Sequence, residues 1–89
     1  GVVCIGDTNM KEITAKFKVN YKGSVRKTEK AIAMVKEFCN FHSTSRYDWG
    51  KNILTITYIF ENINSTEETA MDHIEIEEIE EYGSFLGWA

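Results

Sequence analysis

The run SVRKTEKAIAMVKEFCNF, Ser24 to Phe41, governs how the rest of the chain must be arranged. Val25, Thr28, Ile32, Val35, Cys39 and His42 recur at alternating spacings of three and four, and Ala31 and Phe38 widen the same stripe. This period places them on one face of an α-helix about four turns long. Arg26, Lys27, Glu29, Lys30, Lys36 and Glu37 fall on the opposite face and belong in water. Ser24 is the expected N-cap, because its hydroxyl can accept from an unpaired first-turn N–H. Gly23 lets the chain turn sharply into the helix. A single helix cannot bury such a face alone, so the flanking segments must supply a sheet.

Upstream, Val2, Val3 and Ile5 form a short apolar run before the turn-rich Asp7-Thr8-Asn9. From Lys11 to Tyr21, Ile13, Ala15, Phe17, Val19 and Tyr21 alternate with Glu12, Thr14, Lys16, Lys18 and Asn20. Period two with one polar face is the pattern of a half-buried strand, and the two segments are expected to form a hairpin. Downstream, Tyr47 and Trp49 share a face, and Gly50 suits a turn with positive φ. Asn52 to Asn62 then carries Leu54, Ile56, Tyr58 and Phe60 on one side and Ile53, Thr55, Thr57, Ile59 and Ile63 on the other. Apolar residues on both sides predict a central strand, or an outer face covered by a partner or by a second copy of the chain. A homodimer through the second face of 52–62 is therefore one expectation.

Residues 64–82 read in two ways. Ser65-Thr66-Glu67-Glu68 has the form of a capping box with Ser65 as cap. A single helix from there to Tyr82 would leave Ile76 off its stripe and crowd glutamates at the negative end of its dipole. The preferred reading is a brief helical turn near 66–71 followed by a strand, with Ile74 and Ile76 alternating with Glu75 and Glu77. A bulge at Glu77-Glu78 would then return Ile79 to the inner face. In the apolar tail, Phe85, Leu86 and Trp88 are expected to fold back onto the sheet. The whole predicts one α+β domain over 1–89: one amphipathic helix on a mainly antiparallel four- to five-stranded sheet. β-grasp or cystatin-like wraps have this layering, and a ferredoxin-like arrangement is the alternative if 64–72 forms a true second helix. Such likeness carries no function. The Gln-x-Val-x-Gly motif of cystatin-type inhibitors is absent, because the chain has no glutamine.

Eighty-nine residues suffice for one modest core. No run of 18 apolar residues is present, so no membrane span is expected, and no basic-then-apolar leader is found. Two cysteines, Cys4 and Cys39, are too few for a disulfide framework and fit reduced thiols in a cytoplasmic protein. Lysine outnumbers arginine eight to two, in keeping with an AT-rich genome such as that of a low-GC bacterium or its phages. The net charge of −4 conceals a polarity: residues 1–60 hold all ten basic residues and five acidic ones, whereas 61–89 hold nine acidic residues and none basic.

Candidate chemistry is sparse. Cys39 and His42 share a helix face, but a thiol in an apolar stripe is usually inert packing. Cys4, Cys39, His42 and His73 supply four metal-ligand types without local metal spacing. The run Glu75, Glu77, Glu78, Glu80, Glu81 lacks the interleaved glycine and asparagine of a hard-cation loop. No catalytic residue, metal or cofactor is assigned, and the chain is read as non-enzymatic. The expected function is protein binding: a small acidic inhibitor or modulator, of the kind phages and plasmids encode, docking on a basic protein surface. Glu75, Glu77, Glu78, Glu80 and Glu81 would supply charge, and Phe85 and Trp88 the anchors. The alternative is a binder of nucleic acid or a phosphate ligand through Lys22, Ser24, Arg26, Lys27 and Lys30, where cations around a helix N-terminus favour a bound anion.

Overall fold

In the computed structural model, which describes residues 1–89, the elements run β1 (Val2–Ile5), β2 (Thr8–Lys18), α1 (Val25–Phe38), β3 (Thr44–Asp48), β4 (Ile53–Phe60), α2 (Glu67–Met71), α3 (Ile76–Ile79) and β5 (Ser84–Trp88). The five strands form one antiparallel sheet in the order β1-β2-β4-β3, with β5 also paired to β2. Strand β2 is its axis. One side of β2 pairs with β4 from Lys11 to Lys18. Its other side takes β1 along Thr8 to Lys11 and β5 along Ala15 to Lys18. The two chain ends thus lie head to tail on one edge. Gly1 and Glu12 exchange backbone hydrogen bonds there, and the Ala89 N–H donates to the Thr14 carbonyl at 2.9 Å.

The alternation read in β2 holds. Ile13, Ala15, Phe17 and Val19 are buried, and Leu54, Ile56 and Tyr58 of β4 join them. From the helix, Thr28, Ala31, Val35 and Cys39 complete that layer. Ser24 caps α1 as expected, its Oγ accepting from the Lys27 N–H at 3.1 Å, and Gly23 has φ 75°. The α+β arrangement with one main helix and a five-stranded sheet is therefore what the chain adopts. α2 has five residues, well short of the full second helix of a ferredoxin-like fold.

Several local expectations are corrected. The helix ends at Phe38, with Cys39 as C-cap, and does not reach Phe41. Val25, at the first position of α1, is 63% exposed, and burial of the stripe begins at Thr28. His42 lies beyond the helix, its Nδ1 2.6 Å from the Cys39 carbonyl oxygen. In the β3–β4 turn the positive φ belongs to Asn52, not Gly50; Asp48 Oδ1 accepts from the Gly50 and Lys51 N–H groups and sets the turn instead. The cap of α2 is Thr66 rather than Ser65, and Thr66 N–H donates to Thr69 Oγ1 at 3.4 Å.

The largest correction is at 74–79, where no bulged strand forms. Ile74 makes a lone bridge with Cys39, the Glu75 N–H donates to the Phe38 carbonyl at 3.0 Å, and one helical turn follows. β1 and β5 already fill the free edge of β2, and the segment is instead tied to the end of α1 through Cys39 and Phe38. A single turn buries Ile79 and half-buries Ile76 three residues apart on one face, with no bulge needed. The tail does fold back, with Phe85 and Trp88 against the core, but Leu86 sits at a register shift and is 51% exposed.

Candidate interaction surfaces

The acidic segment is fastened to α1 at several points. Ile79 is buried, and Tyr82 stacks on Phe38 with ring centroids 6.3 Å apart. Tyr21 Oη donates to the Glu81 carbonyl at 3.0 Å. At the other end, Asn40 Nδ2 donates to the His73 carbonyl and to Glu75 Oε2, both at 3.1 Å. With its backbone tied down, the segment presents Glu75, Glu77, Glu78, Glu80 and Glu81 to solvent. Glu77 and Glu78 occupy the first turn of α3, the end where a carboxylate is favoured by the helix dipole.

The five glutamates divide into two groups. Glu80 and Glu81 share a shallow depression with Lys18 and Lys22, so cations stand within the same hollow. Glu75, Glu77 and Glu78 line another depression whose only further residue is Ile76, with no cation. At the His73 end of the same segment stands Phe41, which sequence reasoning did not single out. It is 85% exposed, has φ 62°, and meets His73 edge-on with centroids 5.5 Å apart. His73 in turn stacks on Tyr58 and Phe60, so Phe41 projects from a firm aromatic base. A helical stripe ending in Phe38-Cys39-Asn40-Phe41 looks like core in sequence; only the early end of α1 turns Phe41 outward.

The expected anchors stand elsewhere. Phe85 and Trp88 are half-buried in β5, Phe85 against Phe17 at 5.5 Å and Trp88 against Phe85 at 5.3 Å. They hold the tail onto the sheet.

At the N-terminus of α1, Lys22, Arg26, Lys27 and Lys30 are exposed and Ser24 is engaged in its cap. Lys27 and Lys30 border a small hollow of about 170 Å³ with Tyr21, Ala31 and Tyr82. Glu80 and Glu81 line the adjoining depression together with Lys22.

Cys39 and His42 do not form a dyad. The His42 ring addresses the Cys39 carbonyl, and burial pushes the Cys39 thiol up to about 12, which keeps it protonated and unreactive. Both cysteines are free thiols, Cys4 exposed and Cys39 buried. No three histidine, cysteine or acidic side chains converge in a metal-binding cluster.

The second face of the sheet is uncovered. All three helices lie on the side of Ile13, Phe17, Leu54 and Ile56. The opposite side carries Glu12, Thr14, Lys16 and Lys18 of β2, Ile53, Thr55, Thr57 and Ile59 of β4, and Thr44, Arg46 and Asp48 of β3. No helix is long and apolar enough to cross a membrane. A scan of protein-family models found no match, and searches of curated proteins and of solved structures found no similar protein.

Proposed function

We propose that the chain is a non-enzymatic binding module that docks on a basic protein surface through Glu75, Glu77 and Glu78, with Phe41 as its apolar anchor. The observation that carries this reading is a set of three carboxylates lacking a local cation on a segment whose His73 end supports an aromatic ring that is 85% exposed. Exposed charge of one sign speeds and orients encounter with an oppositely charged surface. Aromatic side chains account for much of the affinity where interfaces have been dissected. An inhibitor or modulator of a basic protein is the activity such a surface suits best. Phe85 and Trp88 have no part in it, because their rings hold β5 in place. Glu80 and Glu81 add long-range field rather than contact.

The test is affinity capture with three proteins: the parent, a Glu75→Lys/Glu77→Lys/Glu78→Lys variant and Phe41→Ala. Circular dichroism verifies the fold of each. Capture of one discrete basic protein by the parent, nuclease-resistant and lost in both variants, is the expected result; binding is then repeated with that partner purified. Equal capture by all three proteins would sink the reading.

A further inference from the structure

The uncovered sheet face differs in charge from everything beneath the helices. Antiparallel register places Lys16 of β2 beside Thr55 of β4, and Thr55 beside Arg46 of β3. The next row along the strands is Lys18, Ile53 and Asp48. Lys51 joins this end from the β3–β4 turn, where its carbonyl accepts from Lys18 Nζ at 3.4 Å. Lys16, Arg46, Lys51, Asp48, Ile53 and Thr55 line a broad depression of about 330 Å³. Its single carboxylate is already committed, since Asp48 Oδ1 accepts two backbone N–H groups of the turn at 2.8 and 3.0 Å. Four cations therefore converge on one end of a flat face. On their other flank runs a row of hydroxyls, Thr14, Thr57 and Thr44, with Thr14 and Thr57 Oγ1 3.0 Å apart, and the face's second carboxylate, Glu12, lies one row beyond beside Ile59, at the end away from the cations.

We infer that this face docks nucleic acid, holding the phosphate backbone of a duplex independently of its sequence. Strands stand about 4.8 Å apart, so the backbones of Lys16 and Arg46 are separated by about 10 Å across β4. Two lysines, an arginine and nearby hydroxyls over that span are the groups that contact phosphate oxygens. No aromatic ring belongs to this face: Tyr47 and Phe60 face the core side, and Trp49 packs on Tyr47 at 4.8 Å. Base stacking, which single-strand binders depend on, is thus unavailable, and a duplex presents phosphate without asking for it. A second copy docked face to face with like ends aligned would set Lys16, Lys18, Arg46 and Lys51 against their own counterparts. This inference is independent of the acidic surface, which lies on the helical side.

The experiment is fluorescence anisotropy with a labelled 20-base-pair DNA duplex, a second duplex of unrelated sequence, one of the single strands, and a polyglutamate peptide. Both duplexes are expected to bind alike. Engagement of three phosphates weakens affinity about 40-fold between 50 and 200 mM salt, from a slope of about −0.9 per phosphate. Lys16→Glu/Arg46→Glu is expected to reduce binding at least about tenfold, in line with the loss of two phosphate contacts. Lys22→Glu/Arg26→Glu, at the helix N-terminus, leaves binding near the parent level. No duplex binding at 50 mM salt, tighter binding of the single strand or of polyglutamate, or an undiminished Lys16→Glu/Arg46→Glu variant would each overturn the inference. Circular dichroism establishes that each variant is folded before it is counted.

Discussion

The Phe41 ring stands edge-on to the His73 imidazole, 5.5 Å between centroids, on a backbone held at φ 62°. A bulky residue in this left-handed region costs about 1 kcal/mol or more relative to glycine. Phe41→Gly is expected to be more stable than Phe41→Ala by about 1 kcal/mol in urea unfolding, because both remove the ring and only glycine relieves the backbone. Equal midpoints would show that the turn carries no strain.

Gly83 leaves the acidic segment for β5 at the point of closest approach to β2. A Cβ there would lie 2.7 Å from the Lys18 carbonyl oxygen and 3.0 Å from Val19 Cγ2. The first of these is backbone and cannot swing aside, so β5 must shift or detach. Gly83→Ala is expected to cost about 1–3 kcal/mol, the range for an overpacked site. Hydrogen exchange should localise the damage, with faster exchange at the Gly87 and Ala89 amides than at those of β4.

The Tyr58 hydroxyl is buried, and no oxygen or nitrogen partner reaches it; the weakly polar Cys39 sulfur is the one group it can address. Its polar neighbour is the Cys39 thiol, near enough for each to affect the other's ionisation. An unpaired buried hydroxyl costs about 1–3 kcal/mol in desolvation. Tyr58→Phe keeps the ring and removes that cost, so its unfolding midpoint is expected to rise. A drop would mean that the hydroxyl is satisfied in solution.

Alkaline pH tests the same pair from another direction. Burial raises the Cys39 thiol from 9.0 to about 12, and burial beside Cys39 likewise raises Tyr58 from 10.0. A raised acid stays protonated in the folded chain while the unfolded chain ionises. Its stabilisation is therefore complete below pH 9 and is lost as pH climbs toward 12. For the thiol alone the slope is about 1.4 kcal/mol per pH unit across that window. Cys39→Ala should flatten the decline measured by urea unfolding between pH 9 and 10, and an unchanged slope would exclude the thiol as its source.

Local periodicity carried a great deal of the architecture. Alternation from Ile13 to Val19 and from Leu54 to Tyr58 identified the central pair of strands, and the three-four spacing of Thr28, Val35 and Cys39 identified the face of α1. Both patterns arise from backbone geometry that each residue shares with its near neighbours, so a single segment suffices to reveal them. The exposed glutamates were legible for the same reason: a run with no apolar alternative stays in water. Phe41 was not, because its exposure depends on where α1 stops, and the helix ends where Cys39 bridges to Ile74, thirty-five residues later.

Tertiary structure also settled what pattern left open. Ile74 to Ile79 fits a bulged strand as well as a helical turn until strand order is known. With β1 and β5 filling the edge of β2, no place beside the central strand remained, and a helical turn satisfies its own backbone groups without one. The grouping of Lys16 with Arg46 is likewise invisible along the chain, since the residues are thirty apart and meet only across β4. Sequence thus fixes which faces are apolar, through short-range geometry; which faces are covered, and which charges gather, follows from long-range pairing that no local pattern encodes.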